Sequence, residues 1–219
     1  SDIDLSADAF PFMSLREGSV AGINARVFRI SFSGELAFEI NVPADDGFAL
    51  WELLMEAGGE YDITPYGTET MHVLRAEKGY VIVGQDTDGS VTPSDLGMDW
   101  IVSKTKDFIG KRSLVRSDML RENRKQLVGL LTDQPETVLP EGTQLVNEPS
   151  TDYPVPMTGH VTSSYYSSIL GHSIALALVK GGLSRLGGSV YAPTLDGQLI
   201  KATITSPVFY DPENKSHKT

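Results

Sequence analysis

The second half of the chain, from Gln126 to Phe209, leaves few folds open. It is built of short apolar runs, LVGLLT, TQLV, SIALALV, SVYAP and LIKATIT, separated by PEG, GH, GG, GG and DG turn signals. Short apolar runs separated by turn signals at regular intervals describe antiparallel pairing. An antiparallel sandwich, barrel or Greek-key arrangement is expected there.

The first half mixes elements. RVFRISFS, Arg26–Ser33, reads as a strand with Ser33-Gly34-Glu35 as its turn, and Pro43 ends the return strand. Residues Ser1–Val20 show no convincing regular element. Asp45 or Asp46 is placed to cap a helix running to about Ala57, whose Phe48, Trp51, Leu54 and Met55 recur at helical spacing and are expected to cover the sheet. A second helix is predicted from about Thr68 to Lys78, with Gly79 as its stop. The fold class expected is α+β: an antiparallel sheet with packed helices, followed by an all-β barrel-like or Greek-key domain. The boundaries expected are 1–115, a linker at 116–125, and 126–219 with a fraying polar tail after Tyr210.

Composition bounds what such a chain does. With 219 residues it can bury about 70% of its unfolded surface, enough for a core without staples. The absence of cysteine removes disulfides, thiolate metal sites and cysteine nucleophiles. A formal net charge of −11 argues against a nucleic-acid partner. Neither an apolar run long enough to span a membrane nor a secretory leader is visible, so a cytoplasmic protein without membrane contact is expected. His72, His160, His172 and His217 are scattered, and the aspartates at 86 and 88 lack the glycine and distal glutamate of a calcium loop, so no metal is expected. Ser163–Ser168, SSYYSS, lacks the elbow and partners of a serine nucleophile. Lys111–Lys125 is a basic segment inside an acidic chain and reads as a partly helical linker with a solvated face.

The stretch that carries chemistry is SFSGELAFEINVP, Ser31–Pro43. Glu39 lies between Phe38 and Ile40, so if those two face a core, the two-residue period of a strand turns its carboxylate to the opposite face. There it can be a solvated strand carboxylate, or it can accept two parallel N–H bonds from a planar amidine-like edge such as a pterin or guanidinium.

Taken in order, SFSGELAFEINVP, a helix, LRAEKG, VTPSDLGMDW, KDFIGKRSL and a β-rich segment with GHVTSS resemble the folate-dependent aminomethyltransferases, the glycine cleavage T-protein family. Within it, TETMHVLRAEKGYVIVGQDTDGSVTP is most similar to the C-terminal portion of alpha subunits of heterotetrameric sarcosine oxidases. The resemblance implies a tetrahydrofolate site in which Glu39 holds the pterin amino group and ring N–H. Phe32 stands where the family usually has tyrosine and has lost the hydroxyl; Met71 stands where the family has an arginine that meets the folate. Arg75 is expected as a structural ion-pair partner. Family members carry a further segment ahead of this hairpin, with an aspartate that assists chemistry near the folate nitrogens. The resemblance therefore implies a portion of a larger polypeptide, and no catalytic base is assigned within it. It also implies other sarcosine oxidase subunits as partners, with FAD and NAD on other parts of the complex. Two other readings stay open: a relative acting on another methylated substrate, and a structural or interaction module that has lost folate binding.

Overall fold

The structure, a computed structural model, describes residues 1–150 and 154–216. The chain divides into two compact units, one of Ser1–Leu74 with the chain end from Asp211, the other of Arg75–Tyr210.

The first unit is built on a three-stranded antiparallel sheet, β1 (Ser14–Val20), β2 (Ile23–Arg29) and β3 (Glu39–Asn41), in that order. β1 corrects the expectation of an irregular lead-in. Its sequence SLREGSV alternates weakly and holds a glycine, yet it pairs with β2 along its whole length, from Ser14 opposite Arg29 to Val20 opposite Ile23. The joining turn is Ala21-Gly22, both at positive φ, 52° and 82°, the handedness a two-residue hairpin requires. Asn-Gly would have announced such a turn; Ala-Gly does not. The expected hairpin is also wider than its sequence suggested. β2 stops at Arg29 and β3 starts at Glu39, and the loop of residues 30–38 replaces a tight turn at Gly34. Ser31 Oγ accepts the Gly34 N–H at 2.8 Å, a side-chain bond that competes with ladder pairing.

Phe10, Ala25 and Val27 form the core under this sheet, with Ile3, Val20, Phe38, Ile40 and Val42 packed against them. The Phe10 and Phe38 rings stand 5.8 Å apart, and the Arg16 guanidinium lies 5.1 Å from the Phe10 ring centre. Helix α1 (Gly47–Gly58) follows a short 3₁₀ turn at Ala44–Asp46; Asp46 occupies its N-cap position without a side-chain capping bond. Its buried residue is Leu50, whereas Phe48 and Trp51, expected to cover the sheet, are 73% and 52% exposed. Apolar residues surround this helix on nearly every side, so spacing alone does not select the face that is buried. Helix α2 (Thr68–Glu77) matches its expected span. In the tail, Asp211 accepts the N–H groups of Lys215 and Ser216; His217 and the two residues after it lie outside the described residues.

The second unit is a closed antiparallel barrel of β4 (Lys125–Thr132), β5 (Gln144–Val146), β6 (Met157–Ser167), β7 (His172–Lys180), β8 (Ser189–Pro193) and β9 (Leu199–Thr205). The strand order is β4-β7-β6-β5-β8-β9, closed by pairing of β4 with β9. Val128, Leu130, Leu145, Val161, Val190 and Ile204 are among its fully enclosed core residues. The barrel-like expectation is met, with one strand that the apolar runs did not announce. β6, MTGHVTSSYYS, is rich in hydroxyls, yet most of its residues are buried.

Those hydroxyls answer buried carboxylates. Asp86, wholly buried, forms an ion pair with Arg75 Nη1 at 2.5 Å, and Arg75 is 1% exposed. The Asp86 carboxylate also accepts the Thr162 and Ser163 hydroxyls at 2.6 and 2.7 Å and the Ile82 N–H at 2.9 Å. Arg75 Nη2 donates to Ser163 Oγ at 2.6 Å, and Nη1 also to the Tyr80 carbonyl at 3.0 Å. Arg75 is thus the structural ion-pair residue expected. The chain leaves α2 at Gly79, φ 68°, where a Cβ would stand 2.5 Å from the Pro207 carbonyl oxygen, so only glycine fits.

A second anchor joins the loop before the basic segment to the segment's end. Arg124 grips Asp95 through Nε at 2.8 Å and Nη2 at 2.6 Å, and also reaches the Ser90 carbonyl. The basic segment itself holds a 3₁₀ turn at Ser113–Val115 in place of a longer helix. Burial pushes the Asp95 carboxyl up, but hydrogen bonds from Arg124 and from the Thr92 N–H and hydroxyl outweigh it and hold its pKa below the usual 3.8.

Two outcomes follow. Asp86→Ala leaves a buried guanidinium without its counter-charge and should cost about 3–5 kcal/mol in urea unfolding, while Arg75→Met with Asp86→Leu should cost clearly less. Because the folded pKa of Asp95 is depressed, its pair contributes stability above 3.8 that is lost as pH falls through the folded value. Thermal unfolding followed from about pH 5 to pH 2 should therefore fall less steeply for Asp95→Asn than for the wild type.

Candidate functional site

The site is one face of the small sheet. Ala25, Val27 and Ile40 turn inward to the Phe10 core. The alternate residues turn outward, and the register aligns them: Glu39 stands opposite Phe28, which stands opposite Leu15, and Asn41 opposite Arg26, which stands opposite Glu17. Glu39 is exposed on this outer face while Phe38 and Ile40 pack on the core, the arrangement its two-residue spacing implied. A strand holds a carboxylate more rigidly than a loop does. Its two oxygens can meet a planar pair of N–H donors side by side.

Phe32 lies in the loop of residues 30–38 that connects β2 to β3 and is 44% exposed. Met71 is half-buried on the first turn of α2, and its N–H bonds the Gly67 carbonyl. The structure thus places the three expected residues on a strand, a loop and a helix of the same unit, and no hydrogen bond, ion pair or ring contact joins them. It adds residues that were not singled out. Phe28, Arg26 and Asn41 share the Glu39 face, and the alternation of RVFR around an inward Val27 was the signal for the first two.

Elsewhere the polar side chains that invited a chemical reading are engaged in structure. Asp86 and Asp95 sit in the ion pairs described, and Asp88 accepts the Ser90 N–H at 2.7 Å and its hydroxyl at 2.6 Å. Among the described residues no group of three or more His, Cys, Asp or Glu is placed to hold a metal ion. In the SSYYSS run, Ser163 bonds Asp86, Ser164 the Ile174 carbonyl and Ser167 the Glu77 carboxylate, the last at 2.6 Å. His160 lies with Nδ1 3.3 Å from Lys125 Nζ. Burial first, and the lysine charge second, push its pKa below the usual imidazole value.

Residues 1–106 match the GCVT N-terminal domain, and residues 125–211 match the glycine cleavage T-protein C-terminal barrel domain. The chain belongs to the glycine cleavage T-protein family. It is 54% identical over 214 residues to the sarcosine oxidase subunit alpha of Corynebacterium sp. strain P-1, covering 96% of this chain and 22% of that protein. It is 30% identical over 208 residues to the aminomethyltransferase of Thermotoga petrophila, covering 95% of this chain and 54% of that protein. In structure it resembles the glycine cleavage system aminomethyltransferase T of Bartonella henselae, with a TM-score of 0.76 and 23% identity over 95% of this chain and 55% of that one. That likeness confirms the fold: antiparallel sheets, few helices and a six-stranded closed barrel. The chain thus spans about a fifth of the sarcosine oxidase subunit and about half of the aminomethyltransferases. Among the described residues, no helix is long and apolar enough to cross a membrane.

Proposed function

We propose that this T-protein family chain holds the pterin end of tetrahydrofolate for a sarcosine oxidase alpha subunit, with Glu39 as its anchor. The observation that carries the reading is the Glu39 carboxylate, rigidly mounted on β3, turned away from the core and without a hydrogen-bond or ion-pair partner among the described residues. Accepting the pterin amino group and ring N–H side by side satisfies both oxygens and fixes the ring's orientation. Phe32, exposed in the adjoining loop, is suited to serve as an apolar wall for the ring, and Met71 on α2 carries no charge to offer the ligand. Residues 1–115 form the folate-holding portion, followed by the 116–125 linker and the barrel domain of residues 126–219.

In the whole assembly, a flavin held by another part of the complex would supply the oxidation of sarcosine to its imine. The resulting imine carbon is taken by the two reactive nitrogens of tetrahydrofolate, giving methylene-tetrahydrofolate and glycine. This chain's share is positioning: the acceptor nitrogens are held beside the electrophile, and proximity provides the rate. FAD and NAD belong to other parts of the assembly, and the partners are folate and the other sarcosine oxidase subunits, in the cytoplasm. The names of the relatives support this assignment. The second reading, a module kept for interaction alone, has Met71 and the missing hydroxyl at Phe32 in its favour.

Calorimetry of tetrahydrofolate binding to the full-length protein separates them. Glu39→Gln should weaken binding by about 1–3 kcal/mol, the range for losing a charged acceptor, with an unchanged melting temperature because the side chain is exposed. Unchanged affinity would remove Glu39 as the anchor, and a wild type that binds no folate would establish the interaction module.

A further inference from the structure

Glu39 is one of nine carboxylates between Ile30 and Leu74, a stretch without a single lysine or arginine. A ligand whose pterin edge is neutral but whose far end carries carboxylates meets like charge on leaving Glu39. The Glu39 face itself supplies a cation.

Arg26 lies on β2, two residues from Phe28 and opposite Asn41, so it is the diagonal neighbour of Glu39 on the outer face. Such neighbours stand about 7–8 Å apart, within reach of a long side chain. Arg16 and Arg29 lie on the opposite face of the sheet, with Arg16 over the Phe10 ring and Arg29 buried and bonded to the Phe10 carbonyl. Arg26 is the outward-facing cation of the sheet. It is exposed, and among the described residues its side chain forms neither a hydrogen bond nor an ion pair, even with Glu17 directly across the ladder. Around it opens a concavity of about 740 Å³, whose lining includes Asp2, Glu17, Ser19, Asn24, Arg26 and Asn41. A free guanidinium fork beside a concavity in acidic surroundings is suited to a carboxylate, which it can meet through two parallel N–H bonds.

We propose that Arg26 receives the anionic glutamyl end of the folate whose pterin Glu39 holds, so that adjacent strands read the two ends of one ligand. This rests on the folate reading above. The site then selects a molecule with a donor-rich ring at one end and a carboxylate at the other.

The test uses the full-length protein and two probes, tetrahydrofolate with one glutamate and 6-methyltetrahydropterin, which lacks the benzoylglutamate. Arg26→Gln should raise the Kd for tetrahydrofolate about tenfold, the loss of a charge-assisted hydrogen bond, and leave the Kd for 6-methyltetrahydropterin unchanged. Arg26→Lys, keeping charge without the fork, should fall between wild type and Arg26→Gln. Glu39→Gln should weaken both probes. Equal weakening of both probes by Arg26→Gln, or no weakening of tetrahydrofolate, would overturn the assignment of Arg26 while leaving Glu39 in place. A wild type that binds neither probe would overturn the folate reading and this assignment with it.

Discussion

The buried pair of Arg75 and Asp86 is the constraint on which the barrel unit is assembled. A carboxylate and a guanidinium without solvent are tolerable only when their remaining donors and acceptors are met. Here the last turn of α2, the turn at Ile82–Asp86 and strand β6 all contribute to meeting them. The requirement accounts for a strand of serines and threonines in a barrel wall. Apolar residues at Thr162 or Ser163 would pack as well, but they would leave Asp86 short of donors. Gly79 answers a separate constraint, the close passage of the chain at Pro207, which leaves no room for a side chain. The Asp95–Arg124 pair plays a similar part for the turn-rich stretch before the barrel, and together the two pairs turn an apparently irregular region of aspartates into fixed structure.

How much of this was legible depended on whether a local pattern was enough to decide it. The runs LVGLLT, SIALALV and LIKATIT announce strands because each buries apolar residues for its own sake. β6 does not, because its burial depends on Asp86 and Glu77, both distant in sequence. β1 was hidden for a related reason. Its order comes from pairing with β2 rather than from alternation of its own, and Ala21-Gly22 gives little sign of a hairpin turn. Helix α1 failed in the opposite way, carrying so many apolar residues that periodicity could not say that Leu50 would be the buried one. At the site, the outward turn of Glu39 was readable from Phe38 and Ile40, whereas its neighbours Phe28 and Arg26 needed the strand register.

The chemistry proposed for the Glu39 face follows from economy of charge. The chain is strongly acidic, and an outward carboxylate among many is ordinary unless something rigid aims it. β3 does so, with a phenylalanine opposite and the single outward guanidinium of the sheet diagonal to it. Binding a neutral donor-rich ring at the acid and a carboxylate at the base needs no buried charge and no metal. On this proposal such a surface would orient a one-carbon acceptor without itself taking part in proton transfer, and no catalytic base is assigned to these residues.

The central claim is that Glu39 holds the pterin, and a structure of the full-length protein with tetrahydrofolate bound tests it most directly. The account predicts the pterin amino nitrogen and a ring N–H each about 3 Å from the two Glu39 carboxylate oxygens. A ligand seated elsewhere, with the Glu39 carboxylate still facing water, would contradict it.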